Sequence, residues 1–291
     1  MRNPFRHATP GTDAVTGWLE VGDGHGVYFE DRGPRDAPVA LLLHGGPGSS
    51  STARQRDWLD AARWRVVQFD QRGCGLSTPL GGTACNDTPA LIADIERVRA
   101  HLRIERWLVG AGSWGAALAL VYAAQHATRV TGLVLRGSFL ASQADLDWFF
   151  HAVAALAPDA HAAFMAALPR RWRDDPLTYL AARFARVDPA NDQPLDAAAR
   201  PMRRALALAL ACQRYETALD GGAADAVQPP ADAARRLVAR YRVQMHYLAH
   251  GCFLDDDAVL RAAAALDGIA VAIVHGEHDL TCRPANAHAL Q

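Results

Sequence analysis

The stretch Trp107-Leu108-Val109-Gly110-Ala111-Gly112-Ser113-Trp114-Gly115 decides how the chain is read. Residues 107–109 form a short apolar run of strand character. Residues 116–125 form a longer, almost wholly apolar run of helical length. Between them lie small residues and one serine. Small side chains at 111, 112 and 115 let the backbone fold sharply, which leaves the Ser113 hydroxyl exposed above a sheet. The helix that follows points its first N–H groups at the same spot. The usual pattern is G-x-S-x-G, and here Ala111 stands for the first glycine.

Working outward, residues 39–43 are an all-apolar run that suits a strand covered on both faces. They lead into His44-Gly45-Gly46-Pro47-Gly48. In nucleophile-elbow chemistry one oxyanion donor is the N–H after the nucleophile, here Trp114. A second comes from the loop after an earlier strand, here Gly46. Residues 66–69 and 133–135 read as further strands. A helix starts at Thr88, read as its N-cap with Pro89 at the first helical position. Leu91, Ile95, Val98 and Leu102 give it one apolar stripe. Residues 18–30 read as a hairpin broken at Gly22-Asp23-Gly24.

Strand, turn and helix alternate, which predicts an α/β fold with a mostly parallel sheet. The alternation stops near Phe139. From 141 to about 242 the sequence is rich in alanine and arginine, has helical periodicity and is punctuated by prolines. It reads as a helical insertion. Strand character returns at 269–274. The expected organisation is a first core part at 1–140, a helical cap at 141–249, and a second core part at 250–291.

Composition removes several classes of chemistry. The 30 basic residues are all arginine, so mechanisms that need a catalytic lysine are excluded. They face 31 acidic residues, and a net charge of −1 gives no reason to expect nucleic acid or an anionic membrane. Five cysteines without CxxC spacing suggest neither a disulfide framework nor a zinc site. The first 17 residues lack the apolar run of a signal peptide, and nothing approaches the ~20 apolar residues of a membrane span. The expected location is cytoplasmic.

HGGPG, FDQRGCGLSTP (from Phe69), DIERVRAHL, GSWGAALALVYA and LVLRG (from Leu133) follow one another in order. Together they resemble the prolyl aminopeptidases (proline iminopeptidases) of the α/β-hydrolase superfamily. The resemblance implies an α/β-hydrolase core with an inserted helical cap, a peptide substrate with an N-terminal proline, and no metal or cofactor. It makes Ser113 the nucleophile. Asp279, in His275-Gly276-Glu277-His278-Asp279, takes the place of the acid that orients a histidine. Cys212-Gln213-Arg214-Tyr215-Glu216 resembles a W-x-x-W-E segment, which puts Tyr215 and Glu216 at the substrate. Gln244-Met245-His246-Tyr247 resembles E-x-H-Y with its carboxylate replaced by an amide. Arg136 is expected to position one of these groups. Trp148, Phe149 and Phe150 are read first as core aromatics, and alternatively as walls of a small apolar pocket for the proline ring. The rival reading of residues 275–279 is a metal cluster. Asp70 and Arg72 are read as pinning their loop, and Cys74 as a buried, inert thiol.

The family's histidine follows one more strand, roughly 20–30 residues beyond Asp279 by ordinary element lengths. It is therefore expected past Gln291. Alternative functions are a neutral esterase or amidase, or a binding protein that has lost hydrolysis.

Overall fold

The structure, a computed structural model, describes residues 7–8, 14–190, 200–222 and 229–291. The segment read as lacking a leader lies mostly outside the described residues. Among the described residues eight strands form one sheet: β1 (His7–Ala8), β2 (Val15–Gly22), β3 (His25–Arg32), β4 (Val39–Leu43), β5 (Arg65–Phe69), β6 (Trp107–Ser113), β7 (Val130–Ser138) and β8 (Val271–Val274). Their order is β1-β2-β3-β5-β4-β6-β7-β8. From β5 to β8 every pairing is parallel, while β1, β2, β3 and β5 pair antiparallel.

The expected hairpin is β2–β3. All five strands read after it are present: β4 with the expected bounds, β5 one residue longer, β6 extended by four residues at its C-terminal end, β7 extended by three at each end, and β8 starting two residues later than expected. β4 and β6 lie side by side, with Leu43 opposite Ala111. That register brings the loops after both strands to the same sheet end, where ligands of parallel sheets gather. The β4 leucines 41, 42 and 43 are at most 1 % exposed, and burying each contributes about 1.5–3 kcal/mol.

Helices α1 (Ala53–Arg56), α2 (Thr88–His101) and α3 (Trp114–Gln125) follow β4, β5 and β6. Every residue of α3 from Trp114 to Ala123 is buried, which accounts for its lack of a polar face. The α2 cap differs from expectation. Asp87 is the N-cap, accepting the Ala90 N–H, and Pro89 is one position further in. Thr88 instead donates its hydroxyl to the Cys252 carbonyl at 2.5 Å. A carboxylate at 87 meets the helix dipole better than a hydroxyl at 88.

Beyond β7 come α4 (Gln143–Phe150), α5 (Pro158–Ala166), α6 (Pro176–Phe184), α7 (Arg200–Leu219) and α8 (Ala231–Ala249), with no strand among the described residues between β7 and β8. Among these, α7 packs on α5 and α8, and α8 on α6. α9 (Ala258–Ala264) packs against α3, returning the chain to the sheet, and α10 (Pro284–Ala289) follows β8. No helix among the described residues is long and apolar enough to cross a membrane.

Candidate active site

Ser113 ends β6 and immediately precedes α3, with φ 54° and ψ −127°. This is a left-handed region that a side chain enters only under strain. Gly115 makes the sharp bend feasible. A Cβ there would stand 2.8 Å from the Leu43 carbonyl and 2.9 Å from that of His44, so only glycine lets α3 lie this close to β4.

The loop after β4 abuts the bend. A Cβ built on Gly45 would stand 3.2 Å from Ser113 Cβ. Gly46 has φ 118°, and a Cβ there would meet the Gly48 and Ser49 nitrogens at 2.7 Å. The loop is fixed from behind. Gln71 donates its backbone N–H to His44 Nε2 (3.0 Å) and its side-chain N–H to the His44 carbonyl (2.9 Å). Gln71 Oε1 accepts from Trp114 Nε1 (3.0 Å). One buried glutamine thus joins the glycine loop, the loop after β5 and the start of α3. Asp70 pins its own loop by accepting from the Ser51 and Leu76 amides, and Arg72 is bonded to Asp94, Asp23 and the Cys85 carbonyl. Cys74 is buried, and burial pushes its thiol pKa far up.

Ser113 opens into a cleft of about 460 Å³ shared by the sheet loops and by α4, α7 and α8. Gly46, Arg136, Glu216, Gln244 and Asp279 line it with Ser113. Asp279 Oδ1 accepts the amides of Thr281 (3.0 Å) and Cys282 (2.8 Å). Cys282 Sγ lies 3.6 Å from Ser113 Oγ. Burial pushes this thiol up to about 12, more than the serine contact lowers it, so it is a neutral neighbour of the hydroxyl.

Among the described residues no imidazole lines the cleft. His44 has committed its Nε2 lone pair to the Gln71 amide, and burial lowers its pKa. His275 Nε2 donates to the Cys282 carbonyl (2.9 Å) and lies 3.5 Å from Asp279 Oδ2. Among the described residues no three His, Cys, Asp or Glu side chains converge as metal ligands, so the rival reading of residues 275–279 has no geometric basis.

Glu216 and Gln244, 28 residues apart, meet directly: Gln244 Nε2 donates to Glu216 Oε1 at 2.8 Å. Two expected site residues are placed differently. Tyr215 turns into the core, 2 % exposed, stacked on Phe164 at 4.6 Å and donating to the Phe149 carbonyl. On a helix, neighbours i and i+1 face different ways, and Glu216 takes the cleft side. Arg136 lines the cleft but holds neither Glu216 nor Gln244; its guanidinium lies over the Trp58 ring, 5.9 Å from the centroid. Of the three aromatics weighed as core or as walls, Phe149 lines the cleft, with Phe139 and Leu146 beside it. Phe150 is buried against Phe164, and Trp148 donates to the Leu280 carbonyl.

The residue that sequence reading missed is Arg240. It lines the cleft and its Nη2 donates to Glu216 Oε2 at 2.7 Å, which Tyr241 OH also reaches at 3.0 Å. Its position four residues before Gln244, on the same face of α8, was the available signal.

A family model described as the alpha/beta hydrolase fold matches residues 38–288. The proline iminopeptidase of Xanthomonas citri is 38 % identical over 285 residues, covering 97 % of this chain and 86 % of that protein. The proline iminopeptidase of Arabidopsis thaliana is 37 % identical over 269 residues, covering 92 % and 68 %. The crystal structure of a Mycobacterium smegmatis proline iminopeptidase has the same fold, with a TM-score of 0.55 and 20 % identity over 94 % of this chain and 85 % of that one. The chain is a hydrolase of the α/β-hydrolase fold and belongs to the proline iminopeptidase family.

Proposed function

We propose that the chain releases N-terminal proline from peptides through an acyl-enzyme on Ser113. The observation that carries this reading is the strained Ser113 backbone beside the Gly46 loop, in a cleft that also holds Asp279. Ser113 Oγ attacks the prolyl carbonyl. The amides of Gly46 and Trp114 receive the developing oxyanion: the first sits on a loop with no side chain in the way, the second on the unsatisfied first turn of α3. Asp279 orients the base that takes the hydroxyl proton and returns it to the leaving amine. In the chain order Ser, Asp, His of this fold that base follows Asp279. Phe139, Leu146 and Phe149 wall the proline ring, and residues 141–249 act as a cap that carries the acyl-recognition groups.

The test is labelling of Ser113 by a fluorophosphonate, with hydrolysis of proline p-nitroanilide measured in parallel. Wild type labels and Ser113→Ala does not. Absence of labelling in a folded wild-type chain that carries the base after Asp279 defeats the acyl-enzyme reading and favours a binding protein.

A neutral esterase or amidase is the second reading. Gln244, where the resembled motif has a carboxylate, favours it. Faster hydrolysis of small neutral esters than of prolyl substrates would select it.

A further inference from the structure

The acyl end of the cleft has a charge balance that the sequence motifs do not reveal. Glu216 lines it with a side chain 14 % exposed. Both its oxygens are already engaged. Oε2 takes the Arg240 guanidinium and the Tyr241 hydroxyl, and Oε1 takes the Gln244 amide. Burial alone would lower the Arg240 pKa, but Glu216, joined by Tyr241, Cys212 and Asp220, raises it by more in sum, so Arg240 stays a cation. Glu216, Arg240 and Gln244 therefore sum to zero charge.

The other carboxylates of the cleft do not replace Glu216 as an amine anchor. Asp145 is 4 % exposed and bonded to Arg283, Asn286 and the Leu140 amide. Asp279 holds two backbone amides. Asp220 is exposed and bonded to the Thr281 hydroxyl, so solvent screens it. Arg136 adds a further positive charge to the same cleft. One acceptor is left open: Gln244 Oε1 is buried with no partner among the described residues, on a residue 6 % exposed that lines the cleft. A neutral acceptor binds an N–H without demanding that it be charged.

We infer that Arg240 is a specificity-determining residue: by cancelling Glu216 it lets the acyl site take an uncharged five-membered ring acyl group as readily as a protonated prolyl group. The inference rests on the reading of this cleft as the acyl site. It widens the substrate class to small, neutral, ring-bearing acyl derivatives.

The experiment compares two ligands that differ in the ring amine alone, prolinamide and cyclopentanecarboxamide. Affinities are measured by calorimetric or NMR titration near neutral pH, so no turnover is required. Wild type is expected to bind the two within about threefold of each other. Arg240→Met frees the Glu216 charge, and Gln244→Glu adds a second one. Each should shift the ratio toward prolinamide by about tenfold or more, roughly 1.4 kcal/mol. Gln244→Glu keeps the inference testable should the arginine variant fail to fold. A wild type that binds prolinamide about tenfold tighter overturns the inference, as does failure to bind the neutral amide, or a ratio that neither variant moves. Ser113 labelling is scored on the same preparation. Loss of labelling in a chain that carries the base after Asp279, with the ratio shift intact, defeats the acyl-enzyme reading alone.

Discussion

At the scale of single residues, Ser113 stores strain that an ordinary strand-to-helix junction would not. Its φ of 54° with ψ of −127° costs an L-residue roughly 1–3 kcal/mol, and glycine far less. Ser113→Gly is therefore expected to stabilise the fold by about 1 kcal/mol, raising Tm by ~2–4 °C, while abolishing labelling. Thermal unfolding checks this, and a lower Tm for the variant would show that the bend is unstrained. The same locality made Ser113, Gly46 and Trp114 readable from sequence: a sharp bend and a glycine loop are written in adjacent residues. Arg240 was not readable in this way. Its partner Glu216 lies on another helix, 24 positions earlier, and ion pairing across α7 and α8 follows no local rule. Tyr215 shows the converse error, since a motif gave a neighbour of Glu216 a role that the helix turn withholds.

At the scale of elements, the glycine loop owes its position to strands it does not belong to. Gln71, just after β5, satisfies the His44 carbonyl and the Trp114 indole, and both are buried. Gln71→Met orphans both groups. At about 1–3 kcal/mol for each unsatisfied group, the expected loss is ~2–6 kcal/mol, read as a lower urea midpoint at unchanged slope. The loop also loses its rear anchor, so Ser113 labelling should slow by about tenfold or more. Labelling at the wild-type rate would show that the strands alone hold the loop. The alternation of β4 to β7 with helices was legible because buried parallel strands leave short apolar runs between turn residues. The segment between β7 and β8 was legible only as helical. Which of its helices face Ser113 depends on packing among α4, α7 and α8, and the α2 cap shifted to Asp87 because several capping residues compete there.

At the scale of the whole molecule, two histidines couple the fold to pH. His44 is fully buried as a neutral ring, with Nε2 accepting the Gln71 amide and Nδ1 against the Gly45 carbonyl. Burial lowers its pKa, against an opposing contribution from Asp70 and with a further lowering by Arg240. His246, on α8, is lowered by burial as well; Asn86 and Asp87 oppose this, and His250 and Arg242 add to it. The unfolded chain takes up these protons near pH 6.5, the folded chain only at lower pH. Below about pH 6.5 the unfolded state therefore binds more protons, and stability falls as pH falls; above it the contribution is complete. Each histidine contributes a slope of at most about 1.4 kcal/mol per pH unit in that window. Tm measured from pH 7.5 down to 5.5 should decline. His44→Gln lowers stability at every pH by disturbing the Gln71 contacts, yet its curve should be flatter than that of wild type, and His246→Asn flatter still when combined with it. The slope, not the absolute Tm, carries the test. A wild-type Tm that stays level across this window would mean that the glycine loop accommodates a charged His44, and the rigid placement of Gly46 beside Ser113 would lose its support.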